Sequence, residues 1–260
     1  MIRTLRNLER RVLPHGVGDL VRQLLLFAIA YYAYLIVRGA VDGKGAAAAW
    51  NATKVINLEH SLHVFIEPSV QSWTAGKHWL ADFAAWWYIN CHFVITTSSL
   101  VFIYVFRNEA FYFVRNMFMC AMGFALVGYT VFPTAPPRLM PEWGFSDTVA
   151  AFTHVRTDGG AVSALLNLYA AVPSMHVCFS LMIGWTLARL VKPKPLKVFW
   201  SLYPFLVTFV VLATGNHYVF DAALGALTAG ASALLSQQLL ARWRPQAWSF
   251  QRAATAEATA

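Results

Sequence analysis

The sequence predicts an all-α polytopic membrane protein: a bundle of six transmembrane helices with an amphipathic helix lying in the membrane interface. Three observations lead there. Hydrophobic residues make up 58% of the 260 and charged residues only 12%, where an ordinary soluble domain carries about 25% charged residues. The apolar residues gather into runs long enough to cross about 30 Å of hydrocarbon as helices. Lysine and arginine crowd into alternate connections between those runs, the charge asymmetry of a threaded membrane protein. Such a chain reads as one helical bundle, not as two soluble domains.

The six runs fall at roughly 20–37, 79–106, 114–132, 176–191, 198–214 and 218–241. An even number of crossings puts both termini on one side. The fourth and fifth runs are short for a full crossing, so they extend into their flanks or sit in a locally thin region. About twenty largely polar residues precede the first run and no small-residue cleavage site follows it, so that run is expected to be retained as a helix. The chain divides into a cytoplasmic N-terminal segment over 1–19, a six-helix domain over 20–241 and a disordered cytoplasmic tail over 242–260.

Of the 20 basic residues, 14 collect on one side: Arg3, Arg6, Arg10, Arg11, Arg22, Arg107, Arg115, Arg189, Lys192, Lys194, Lys197, Arg242, Arg244 and Arg252. Arg38, Lys44, Lys54, Lys77, Arg138 and Arg156 fall on the other. The richer side is cytoplasmic by the positive-inside rule, which puts 38–78, 133–175 and the tight turn near 215 outside. The same distribution accounts for the net charge of +8. The cations set topology and face anionic lipid, and no nucleic-acid partner is expected. Cys91, Cys120 and Cys178 all lie in apolar runs and are odd in number, so they read as small core residues and not as a disulfide framework.

In the first outer segment, Val55, Leu58, Leu62, Phe65 and Ile66 recur at helical spacing opposite Lys54, Glu59 and His63, which predicts the interfacial amphipathic helix. The second, from FPTAPPRLMPEWGF to NLYAAVPSMH, is broken by Pro and Gly and reads as a lid or wall over a site. Trp86, Trp87, Trp200, Trp243 and Trp248 suit a membrane aromatic belt.

Two motifs carry the chemistry. PSMH, Pro173 to His176, opens the fourth span, and GNHYVFD, Gly215 to Asp221, opens the sixth, both on the outer side. His217 and Asp221 stand at i and i+4, so the carboxylate lies one turn below the imidazole. There it can accept from one ring nitrogen and leave the other as a nucleophile. His176, on the neighbouring helix, could then protonate a leaving oxygen. Ionisable groups within a membrane are costly and mark function by default.

PSMH followed by His-x-x-x-Asp resembles the second and third signature motifs of the type 2 phosphatidic acid phosphatase superfamily. RGAVDG, LEHSLHVFIEP, FPTAPPRL and NLYAAVPSMH are similar to its subgroup containing fungal inositol phosphorylceramide synthase and bacterial relatives. The resemblance implies metal-independent phosphoryl transfer through a phosphohistidine. In it His217 attacks phosphorus, Asp221 orients it, and His176 donates a proton to the departing alcohol and then activates the acceptor. The free N–H groups of the helix begun by Pro173 and Ser174 would face phosphate oxygens, and the Ser174 hydroxyl could add to them. The chain departs from the superfamily pattern at two cations. Val131 stands where the first motif has Lys, and Val210 and Val211 stand where the third has Ser-Arg. Arg138 is therefore the leading phosphate-binding cation, with Asn216 and Arg38 as further candidates. Arg107 and Arg115 fall on the cytoplasmic side and are set aside.

His60, His63 and Glu67 have a spacing a metal could use, yet on an interfacial helix they read as polar-face residues, and neither metal nor cofactor is expected. Asn90 and His92, near the middle of the second span, read as structural polar residues bonding across helices. The substrate implied is a lipid phosphate or phospholipid, hydrolysed or transferred at the outer face of a bacterial plasma membrane, an inositol-phosphate head group among the candidates. A transporter, or a catalytically silent lipid-binding protein, is the alternative. The sequence leaves the oligomeric state open.

Overall fold

The computed structural model describes residues 13, 16–41, 43–153 and 169–240. The expected tail from 242, most of the segment ahead of the first span, and 154–168 of the second outer segment lie outside the described residues. Among the described residues the regular elements are helical, save one isolated bridge between Thr134 and Ala170. They are α1 (Gly16–Val41), α2 (Gly45–Ser61), α3 (Glu67–Ala75), α4 (His78–Phe106), α5 (Asn108–Val131), α6 (Thr148–Thr153), α7 (Met175–Leu190), α8 (Lys194–Ala213) and α9 (Val219–Leu234). Two 3-10 turns, Pro137–Leu139 and Pro141–Trp143, follow α5, and a π-helical turn, Leu235–Leu240, continues α9.

Five of these, α1, α4, α5, α8 and α9 extended to Gln238, are long and apolar enough to cross a membrane. The fourth predicted span, α7, is apolar but only 16 residues long. Of the two runs expected to be short, the fifth thus gains length from its flank, because Lys194 and Pro195 start α8 early, with Pro in the first turn where its missing N–H costs nothing. Side chains such as Ile36, Phe93 and Phe205 stand more than 70% exposed on the outside of the bundle, where lipid replaces water as the solvent.

The core lies between α4, α5, α7 and α9, where Ile103, Val114, Phe118, Ala121, Cys178, Ile183 and Ala229 are buried together. A second cluster, Val177, Tyr203, Val207, Val211 and Ala222, joins α7, α8 and α9. The short connections at Arg107 and 191–193 form one end of the bundle. The other end is capped by α2, α3, the 3-10 turns and the segment before α7, with Ala52, Ile56, Met140, Phe145 and Tyr218 at its centre.

The first outer segment is helical as predicted, but as two helices. They break at His63, which takes a left-handed φ of 58°, and Pro68 opens the first turn of α3. The burial also departs from the amphipathic reading: Leu58 and Leu62 are exposed, whereas Glu59 and Glu67 are buried at 1% and 0%. The reason is tertiary, since α2 and α3 turn their carboxylates toward the start of α9.

The helices α7 and α9 meet closely at their N-terminal ends. A Cβ on Gly225 would collide with the Ser174 carbonyl oxygen, while at Gly230, on the same helix, a Cβ meets nothing within 4 Å. Gly225→Val is therefore expected to destabilise the protein by about 1–3 kcal/mol through overpacking, whereas Gly230→Ala is expected to be neutral or stabilising by up to about 1 kcal/mol. Thermal unfolding of the two detergent-purified variants checks this; equal midpoints would show that the α7–α9 contact is not tight.

Candidate active site

The turn from α8 into α9 is built by its own short polar side chains. Thr214 ends α8 with its hydroxyl bonded back to the Val210 carbonyl at 2.7 Å, and Asn216 Nδ2 donates to Thr214 Oγ1 at 2.8 Å. Gly215 reverses the chain with φ of 66°, a conformation glycine adopts without strain, and its carbonyl accepts the Arg138 N–H at 2.8 Å. The outcome is that His217 and Asp221 point into the bundle, at 5% and 0% exposure.

His217 Nδ1 lies 3.1 Å from the Ala171 carbonyl oxygen and 3.4 Å from Asp221 Oδ2. Both partners accept, so Nδ1 carries the proton and Nε2 keeps its lone pair. That lone pair faces His176 Nδ1 at 3.3 Å. Burial, reinforced by the Arg138 guanidinium and partly countered by the hydrogen bond to Ala171, pulls the His217 imidazole down to about 3, so it is neutral at neutral pH. The two helices carrying the histidines are tied by Ser174 N–H donating to the Asp221 carbonyl at 3.0 Å.

Arg138 reaches the same place from the first 3-10 turn. Its guanidinium donates to Asn216 Oδ1, its Nε stands 3.8 Å from Asp147 Oδ2, and that buried Nε has no hydrogen-bond partner among the described residues. Arg138, Asn216, His176 and His217 all line one cavity of about 1330 Å³ that runs on between α1, α4 and α5 past Thr97, Met122 and Leu24. The cavity is polar at the histidines and apolar beyond.

Ser174 is fully buried behind His176, its Oγ accepting from Val177 N–H as the N-cap of α7, and it is not part of the cavity wall. The N–H groups of Met175 and His176 occupy first-turn positions that have no intrahelical acceptor. Arg38 falls in the last turn of α1, and its side chain lies outside the described residues. The positions lacking the expected cations are now accounted for: Val131 is 76% exposed on the lipid-facing surface, and Val210 and Val211 are buried in the core.

The surroundings of the site include contacts that the sequence reading did not foresee. His92 packs its ring 4.5 Å from that of His176, with Tyr88 stacked on the same ring at 4.9 Å, while Asn90 bonds only within its own helix, to the Trp86 carbonyl. Glu67 and Glu59 accept from Val219 and Phe220 N–H, each at 2.6 Å. Gln71 pairs with both the N–H and C=O of Ser146, at 3.0 and 2.8 Å, pinning the outer segment beside Gly215. Carboxylates on a polar, outward-reading helix gave no signal of this; their partners are backbone groups more than 150 residues away. His60 packs against Phe65 and Trp143 instead of joining Glu67.

A neutral imidazole, a second imidazole across from it, a buried carboxylate behind and a guanidinium beside them form one polar cluster at the end of a cavity in a helical membrane protein. The chain belongs to the PAP2 superfamily of membrane phosphatases and phosphotransferases, whose family model matches residues 53–235. No curated protein and no solved structure matches it.

The hydrogen bonds around His217 make one spectroscopic prediction. Imidazole ¹⁵N spectra, assigned by loss of a signal in His217→Asn, are expected to show His217 protonated at Nδ1 and bare at Nε2 at neutral pH; an Nε2–H tautomer would contradict the bonds from Nδ1 to Ala171 and Asp221.

Proposed function

We propose that the protein is a metal-independent lipid phosphatase or phosphotransferase working through a phosphohistidine. The observation that carries the reading is the bare Nε2 of His217, held between the Ala171 carbonyl and Asp221 on one side and His176 on the other. The phosphoryl group enters between the two facing nitrogens and replaces their direct contact. The His217 Nε2–P bond forms as the P–O bond to the alcohol breaks, and His176, which takes up a proton as the anionic phosphate enters beside it, passes that proton to the departing oxygen. Asp221 holds the His217 tautomer and offsets the positive charge that develops on its ring. In the second step water or an alcohol gives its proton to His176 and takes the phosphoryl group. Arg138, aligned by Asn216, faces the equatorial oxygens together with the α7 N-terminus.

The apolar cavity beyond the histidines supports a long-chain lipid as the substrate, its tail running between α1, α4 and α5. The motifs shared with the inositol phosphorylceramide synthase subgroup extend the reading to transfer of an inositol-phosphate-type head group. The distribution of basic residues supports a bacterial plasma membrane location with both termini cytoplasmic and the site extracytoplasmic.

Phosphate release and head-group exchange from phosphatidic acid, polyprenyl phosphate and phosphatidylinositol, measured with EDTA present, test the mechanism. His217→Ala is expected to lower turnover at least ~10³-fold and to abolish covalent ³²P labelling, and Arg138→Ala to lower kcat/KM by about 10²–10³-fold. Turnover indifferent to His217 would end the reading. The cavity makes a separate prediction: Thr97→Trp, which fills its apolar part, is expected to slow long-chain substrates and spare short-chain ones, and an equal loss on both would remove the tail from this cavity.

A further inference from the structure

The first turn of α9 is held in an unusual way. A helix N-terminus leaves its first N–H groups without intrahelical acceptors, and one Ser, Thr or Asn side chain commonly serves. Here three successive N–H groups each meet a separate carboxyl group. Tyr218 N–H donates to Asp221 Oδ2 at 2.9 Å, Val219 to Glu67 Oε1 at 2.6 Å and Phe220 to Glu59 Oε1 at 2.6 Å. Glu59 and Glu67 come from different helices, α2 and α3, and both are fully buried.

The second oxygen of each, Glu59 Oε2 and Glu67 Oε2, is buried and meets no donor among the described residues. Two carboxylates side by side in a dry site cannot both carry charge. One proton held by the pair resolves both problems: the protonated carboxyl donates to its neighbour, and the repulsion between two charges is removed. Burial first, and then hydrogen bonding to Glu67, push the Glu59 carboxyl up to about 9, which makes Glu59 the proton's holder at neutral pH.

We propose that Glu59 and Glu67 are positioning residues for the reaction: an acid–carboxylate pair sharing one proton, clamped on the first turn of α9, that sets His217 and Asp221 against His176. The proposal rests on the phosphotransfer reading of the site. The pair acts only through the backbone it holds. His217 directly precedes the clamped turn and Asp221 follows within it, while the Asp221 carbonyl anchors Ser174 and so the start of α7. A shift of the clamp therefore changes the spacing of the two imidazoles, now 3.3 Å between facing nitrogens. Near-attack geometry is sensitive on that scale, since a misplacement of about 1 Å can cost on the order of 10²-fold in rate.

The shared proton sets a pattern of substitutions that a plain cap would not show. Either glutamate alone can become glutamine, because an amide N–H then donates to the remaining carboxylate and the amide oxygen still accepts from α9. Both together cannot, because two NH₂ groups would face each other. Shortening either side chain by one methylene withdraws the acceptor from the backbone.

The test uses the full-length protein reconstituted in lipid, with kcat and KM measured on the lipid phosphate that wild type turns over best. Thermal unfolding identifies the folded variants. Glu59→Gln and Glu67→Gln are expected to keep most of the wild-type kcat, whereas the double variant E59Q/E67Q, and Glu67→Asp, lose about 10–10²-fold in kcat with KM little changed. Infrared spectra at neutral pH are expected to show a protonated-carboxyl C=O band in wild type that shifts in D₂O and is lost in Glu59→Gln. A double variant as active as the singles overturns the proposal, as do single glutamine variants as damaged as the double, or the absence of that band. Should the double variant fail to fold, Glu67→Asp and the infrared band decide. Wild type without turnover on any lipid phosphate would instead sink the phosphotransfer reading, with the infrared band still deciding whether the proton is shared.

Discussion

The polar end of the bundle depends on the first turn of α9. Three backbone N–H groups there donate to Asp221, Glu67 and Glu59, so this helix end is closed to any other anion. The same turn holds His217 on one side and, through the Asp221 carbonyl, Ser174 on the other. With α9 plugged by protein carboxyl groups, the N-terminus left facing the cavity is that of α7, where His176 stands. Two helix ends with the same dipole are thus disposed differently, one closed by carboxyl groups and the other open to the cavity.

Placing a cation beside that site raises a problem of its own, since a guanidinium inside a lipid-facing helix is costly. The protein takes its arginine from the capping segment instead. Arg138 is fixed by its backbone bond to Gly215, by Asn216 and by the nearby Asp147. Because Asn216 and His217 are adjacent in sequence, one turn aims both the imidazole and the guanidinium. Positions 131 and 211, valines in this chain, serve lipid contact and core packing, and the guanidinium at this end of the bundle is carried by a segment anchored on the Gly215 turn.

The spans could be read from the sequence because lipid imposes length and hydropathy on each helix separately, and the meeting of His176, His217 and Asp221 could be anticipated because polar groups are rare at the ends of such runs. Glu59 and Glu67 could not. On α2 and α3 the local pattern places a carboxylate where solvent is the default, and only contact with α9 reverses that expectation, leaving Leu58 and Leu62 exposed instead. For His92 the sequence indicated a structural place inside a span but not its neighbour: a polar residue there announces a partner without its identity, and here the neighbour is His176. Arg138 stood out only as the arginine of FPTAPPRL, and the fold sets its guanidinium beside Asn216.

The short length of α7 has a consequence for depth. Sixteen residues at about 1.5 Å each give a helix of about 24 Å, less than the roughly 30 Å of a hydrocarbon core. If its Arg189 end is anchored among headgroups, the His176 end stops about one turn short of the opposite surface. A site recessed in this way needs a roof, which α2, α3 and the 3-10 turns supply, and a side entrance, which the cavity between α1, α4 and α5 supplies. On the proposed mechanism the lipid then reaches His217 without leaving the bilayer, and water or an alcohol approaches from the capped end. The low-dielectric setting that keeps His217 neutral also strengthens its attraction, once phosphorylated, to the buried Asp221 carboxylate.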